Sequence, residues 1–68
     1  MYEVDARGLS CPEPLLLATQ ALKDAGGDTV RVIVSETNAR DNILRMCKKR
    51  KHTAEVEQQG QDYILTIN

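Results

Sequence analysis

The sequence predicts an α+β two-layer sandwich in the order β-α-β-α-β-β, a mixed four-stranded sheet with both helices on one face. Three observations predict it. Short segments alternate apolar and polar residues or run through β-branched ones, as half-buried or central strands do. Two longer segments repeat their apolar residues at helical spacing along one stripe each, so each has one face to bury. The chain closes on two strand-like segments joined by a glycine-centred turn, which reads as a hairpin. Residues 1–68 are expected to form a single domain with a small core.

Tyr2-Glu3-Val4-Asp5-Ala6 reads as the first strand, with Tyr2, Val4 and Ala6 toward the core and Glu3 and Asp5 toward water. Arg7 closes it, either as a solvated loop cation or as a partner for Asp5 or for an anionic group at Cys11. The first helix is expected from Pro12 to Ala25, with Leu15, Leu16, Ala18, Leu22 and Ala25 as its apolar stripe. Leu17 widens that stripe and stands partly exposed beside Cys11, as core or as a docking contact for a partner protein. Gly26-Gly27 stops the helix. Thr29 to Val34 is the strongest strand and belongs in the middle of the sheet.

The second helix is expected from about Ala39 to Arg50, capped by Thr37 or Asn38, with Asp41 in its first turn. Ala39, Ile43, Met46 and Cys47 share a face, so Cys47 reads as a small buried hydrophobe. A disulfide between Cys47 and Cys11 is not expected. Cys47 lies late in its helix and Cys11 at the start of the other, well over about 10 Å away if the helices run in the same sense. Lys48-Lys49-Arg50-Lys51-His52 is a basic run. It reads as a solvated helix C-terminus favoured by the dipole, or as a patch for an acidic partner or RNA phosphate. Thr53 to Gln58 and Asp62 to Ile67 form the hairpin, with Gln59-Gly60-Gln61 as its turn.

Composition excludes several functions. The formal net charge is −1 and no aromatic residue interleaves the basic run, so direct nucleic-acid binding is not expected. No apolar run approaches the roughly 20 residues of a membrane helix, and neither a membrane role nor a signal peptide is expected. The two cysteines form no Cys-x-x-Cys pair and, with His52, supply too few ligands for structural zinc. No cofactor is expected, and a reducing cytoplasm is the simplest setting.

The segment that carries chemistry is Gly8-Leu9-Ser10-Cys11-Pro12-Glu13-Pro14. It lies where the first strand hands over to the first helix. Cys11 falls at or beside the N-cap, Pro12 near the first helical position, and Pro14 within the first turn, where a missing N–H breaks no helical bond. A thiol at a helix N-terminus has its anion favoured and its pKa lowered. Glu13 opposes that effect, and Gly8 permits a tight turn.

The longer run from Val4 to Leu15, joining Asp5-Ala6-Arg7-Gly8-Leu9 to Cys11-Pro12-Glu13-Pro14, resembles the signature of the TusA/SirA/YedF family of small sulfur carriers. The resemblance spans nearly the whole chain. It implies the same two-layer fold and a carrier of sulfurtransferase type rather than a stand-alone enzyme. Cys11 would accept sulfur as a persulfide from a donor such as a pyridoxal-phosphate-dependent cysteine desulfurase. It would then pass that sulfur to a downstream acceptor protein, in relays such as those for transfer-RNA thiolation or molybdenum-cofactor sulfuration. Ser35-Glu36-Thr37 stands where TusA proper carries an acidic Asp-Asp-Pro pattern, and Asn42-Ile43 after its Ala-Arg pair is nearer the YedF branch, linked to selenium and sulfur metabolism. Two further readings are therefore a selenium-linked carrier and a non-catalytic regulatory or interaction module. Candidate partner contacts are Arg7, Leu17, Lys48, Lys49 and Arg50.

Overall fold

The structure, a computed structural model, describes residues 1–10 and 12–68. Its elements are β1 (Tyr2–Asp5), α1 (Glu13–Ala25), β2 (Val30–Val34), α2 (Thr37–Lys49), β3 (Ala54–Gln59) and β4 (Asp62–Ile67). The strands form one sheet in the order β1-β2-β4-β3. β1 runs parallel to β2, with Val4 opposite Val32. β4 runs antiparallel to both its neighbours, with Leu65 opposite Val32 on one side and Val56 on the other. The element order, the mixed sheet and the central place of β2 are as the sequence predicts.

Strand periodicity builds the core. Val30, Val32 and Val34 all point to one face of β2 and are fully buried, while Arg31 and Ile33 between them are only half-buried. Leu65 and Ile67 extend that face on β4, and Ile43 and Cys47 of α2 cover it together with Ala18 and Ala21 of α1. The two helices touch each other as well as the sheet, so both lie on this side. The hairpin turn is tighter than expected: Gln59 pairs with Asp62, leaving Gly60 and Gln61 as the loop, with Gly60 at φ 60°.

Several expectations need correction. Leu16 does not join the core; it is 61% exposed. α1 buries Pro14, Ala18 and Ala21, spaced four and three residues apart, and these small side chains bring the helix close to the sheet. Leu16 falls beyond the edge of that stripe. Tyr2, expected to face the core, is 39% exposed because β1 is an edge strand and Tyr2 its first residue. Val56 is 42% exposed, since β3 is the other edge and the helices pack over β1, β2 and β4.

Neither Thr37 nor Asn38 caps α2. Glu36 holds the cap position in an extended conformation and its carbonyl accepts from the Arg40 N–H at 3.1 Å, so Thr37 and Asn38 are already helical. Asp41 therefore lies beyond the first turn, where it pairs with Arg40 at 2.9 Å. The helix ends one residue before Arg50. Beyond it Lys51 takes φ 63°, and the His52 N–H reaches back to the Cys47 carbonyl at 2.8 Å.

Candidate functional site

The segment preceding α1 is fastened at three points. Leu9 packs half-buried against the core. Gly8, at φ 77°, turns its N–H onto the Ser35 hydroxyl oxygen at 3.0 Å, tying this segment to the loop between β2 and α2. The Ser10 carbonyl accepts from the Glu13 N–H at 3.0 Å. Pro12 then serves as N-cap rather than first helical residue, so α1 begins one residue later than expected, and Pro14 is the second helical residue. Ser10, Pro12 and Glu13 are all exposed. Cys11, on which the chemical reading turns, lies outside the described residues.

The start of α1 offers little to an anion through hydrogen bonding. Pro12 and Pro14 have no N–H, and that of Glu13 is engaged by Ser10. Pro12 makes no side-chain cap bond. The field of the helix dipole favours an anion here and is opposed by the exposed Glu13 carboxylate in the first turn.

Arg7 is committed to carboxylates. Its Nε and Nη2 donate to the two carboxylate oxygens of Asp5 at 2.9 and 2.8 Å, and its Nη1 lies 3.7 Å from Asp62. The pairing of Arg7 with Asp5 is formed, while the reading that places Arg7 against Cys11 falls outside the described residues. The guanidinium and the Arg7 backbone N–H hold the Asp5 carboxyl down at about 2. The same pairing pushes the Arg7 pKa up.

Cys47 is 1% exposed in the core and forms no disulfide. Burial pushes its thiol pKa up, so at neutral pH it is a neutral packing group.

The basic residues divide. Lys49 and Arg50 line a groove of about 640 Å³ between the first turns of α1 and the last turns of α2, together with Leu15, Leu16, Arg45 and Met46. Lys48 is exposed but lies outside it. Leu17 borders a different, smaller groove of about 230 Å³ between α1 and β1, beside Glu3 and Asp24. Leu16, Arg45 and Met46 were not singled out as functional from the sequence. Arg45 and Lys49 stand four residues apart on one face of α2, and Met46 and Arg50 repeat that spacing, which is the signal that marks a shared stripe.

A profile of the family described as sulfurtransferase TusA matches residues 2–68. The sulfur carrier protein TusA of Pseudomonas putida is 35% identical over 60 residues, covering 87% of this chain and 72% of that protein. TusA of Pseudomonas aeruginosa is 37% identical over 57 residues, covering 82% and 71%. A crystal structure of a SirA-like protein from Desulfitobacterium hafniense superposes with a TM-score of 0.90 at 30% identity, over 98% of this chain and 95% of that one. The chain belongs to the TusA family of sulfur carrier proteins.

Proposed function

We propose that this protein relays sulfur as a persulfide on Cys11. The observation that carries the reading is the short segment between β1 and α1. In a chain of this family, Pro12 caps the helix and Pro14 follows within its first turn, directly after position 11. The Cys11 thiolate attacks the outer sulfur of a persulfide on a donor protein. The donor's S–S bond breaks, its thiolate leaves, and Cys11 holds the transferred sulfur. A nucleophile on the acceptor then attacks that outer sulfur, the new S–S bond breaks, and the Cys11 thiolate returns. Each step exchanges one S–S bond for another with no net oxidation, so no cofactor is needed.

A cysteine desulfurase is the donor class whose chemistry fits, and the cytoplasm is the compartment in which a free thiolate persists. Gly8 and its bond to Ser35 fix the approach of the segment, while Pro12 and Pro14 make the start of the helix rigid. Glu13 and Arg7, whose charges lie on either side of position 11, tune the local field; the pairing of Arg7 with Asp5 limits its share.

Intact mass spectrometry after incubation with a cysteine desulfurase and cysteine tests this. The expected result is a gain of one sulfur on wild type, lost in Cys11→Ser and kept in Cys47→Ser. No gain in wild type, or an equal gain in Cys11→Ser, refutes the relay. Function surviving Cys11→Ser but lost on charge reversal of Lys48, Lys49 and Arg50 would establish the interaction-module reading instead. Loading with selenium from a perselenide donor, whose own thiolate leaves as Cys11 takes the outer selenium, but not with sulfur from the desulfurase, would establish the selenium carrier.

A further inference from the structure

The groove between α1 and α2 has an apolar floor and a cationic rim. Leu15, Leu16 and Met46 form the floor; Arg45, Lys49 and Arg50 stand around it. Leu16 is the most exposed leucine in the protein at 61%. None of the groove-lining residues is acidic. The arginines elsewhere are neutralised: Arg7 by Asp5, Arg31 by Glu3 and Arg40 by Asp41. Among the described residues, Arg45 and Arg50 have no such carboxylate, and Arg45 reaches only the side-chain oxygen of Asn42 at 3.3 Å. A protein of formal net charge −1 thus concentrates uncompensated positive charge around one exposed apolar strip.

The helix dipole accounts for cations at the end of α2, but it does not account for an exposed Leu16 across from them on α1. On the other flank of α1 the sign is reversed: Leu17 and Tyr2 border the smaller groove with Glu3 and Asp24. The same helix therefore separates a basic track from an acidic one.

We infer that the α1–α2 groove docks an acidic amphipathic segment of a partner protein, whose apolar side chains seat on Leu15, Leu16 and Met46 while its carboxylates meet Arg45, Lys49 and Arg50. Complementary charge selects the partner and speeds encounter, and the apolar floor holds it. Methionine adapts its shape to varied apolar side chains, which suits a carrier that meets a donor and then an acceptor. Nucleic acid fits less well, because the groove presents no aromatic ring for a base and a phosphate backbone leaves the leucines wet. This inference deepens the relay reading by naming how a partner is held, and it is tested without any sulfur chemistry.

The experiment uses the full chain carrying Cys11→Ser and a synthetic amphipathic peptide with leucines at helical spacing and glutamates between them. Binding is followed by calorimetry and by amide chemical shifts. The expected shifts centre on Leu16, Arg45, Met46 and Lys49, with affinity falling as salt rises. The same peptide with lysines for glutamates should bind at least about tenfold more weakly, as should the acidic peptide to Lys49→Glu/Arg50→Glu. Substituting Glu3→Gln and Asp24→Asn in the other groove should leave affinity within about twofold. No binding, equal binding of the two peptides, or shifts centred on Leu17 and Tyr2 would overturn the inference. Tighter binding of a single-stranded RNA oligonucleotide at the same residues would overturn it in favour of nucleic acid. Polysulfide loading of the wild-type chain, run alongside, reads the relay separately, so either idea can fail alone.

Discussion

The interior face of the sheet and the segment that precedes α1 are held by different physics. Val30, Val32, Val34, Ile43, Leu65 and Ile67 are fully buried and contact one another and the helices. Residues 7, 8, 10, 12 and 13 are all exposed, and their order comes from Leu9, from hydrogen bonds such as those of Gly8 to Ser35 and Glu13 to Ser10, and from the ion pairs of Arg7. The first region supplies the stability of a small domain, while the second supplies a presented surface and little stability. A carrier benefits from that separation, because the presented segment can be handled by partners without loosening the core.

That contrast can be broken by mutation, and the largest effect is expected inside. Ile43→Ala removes a fully buried side chain from α2 and should cost about 2–5 kcal/mol, measured by urea unfolding. Cys47→Ser puts a hydroxyl where a buried thiol packs and should cost about 1–3 kcal/mol while leaving sulfur loading in place. Gly8→Ala meets no neighbour with its new methyl group, so its cost of about 1–2 kcal/mol comes from a φ of 77° alone. Should Gly8→Ala prove as costly as Ile43→Ala, the separation of the two regions is wrong.

The smallest effect concerns Asp5 and sharpens the picture of the ion pair. Its carboxyl is held at about 2 in the folded chain against an ordinary 3.8. A depressed folded value contributes stability above 3.8 that is lost as pH falls through about 2. The stability difference between wild type and Asp5→Asn should therefore shrink across that window and be flat above it. Both Asp5 and Arg7 are more than half exposed, so the amplitude is small and falls with added salt.

Element order, the hairpin and the burial of Cys47 were legible because each rests on periodicity within one segment. Helix ends were less so. Glu36 has no strong capping signal, yet its extended backbone opens α2 two residues before the expected start at Ala39. The error at Leu16 has a different cause: Leu15, Leu16 and Leu17 make the apolar stripe too wide to locate its centre, and the alanines decide which face turns inward. The basic groove was out of reach, since it exists only where α1 and α2 come together. The family was readable from the run around Cys11, and the helix start from its two prolines, while Cys11 itself lies outside the described residues.

The order β1-β2-β4-β3 leaves two unpaired edges, both bearing carboxylates, those of β1 being engaged by Arg31 and Arg7. Glu3 and Asp5 alternate along β1, and Glu55 and Glu57 along β3. A second copy laying its β3 against the same strand would set carboxylates against carboxylates, which is the charge arrangement that blocks sheet extension. Open strand edges are the usual route by which small sheet proteins aggregate at high concentration. Here Glu55 and Glu57 set like charges along the open β3 edge, an arrangement that opposes extension of the sheet by the β3 of a second copy.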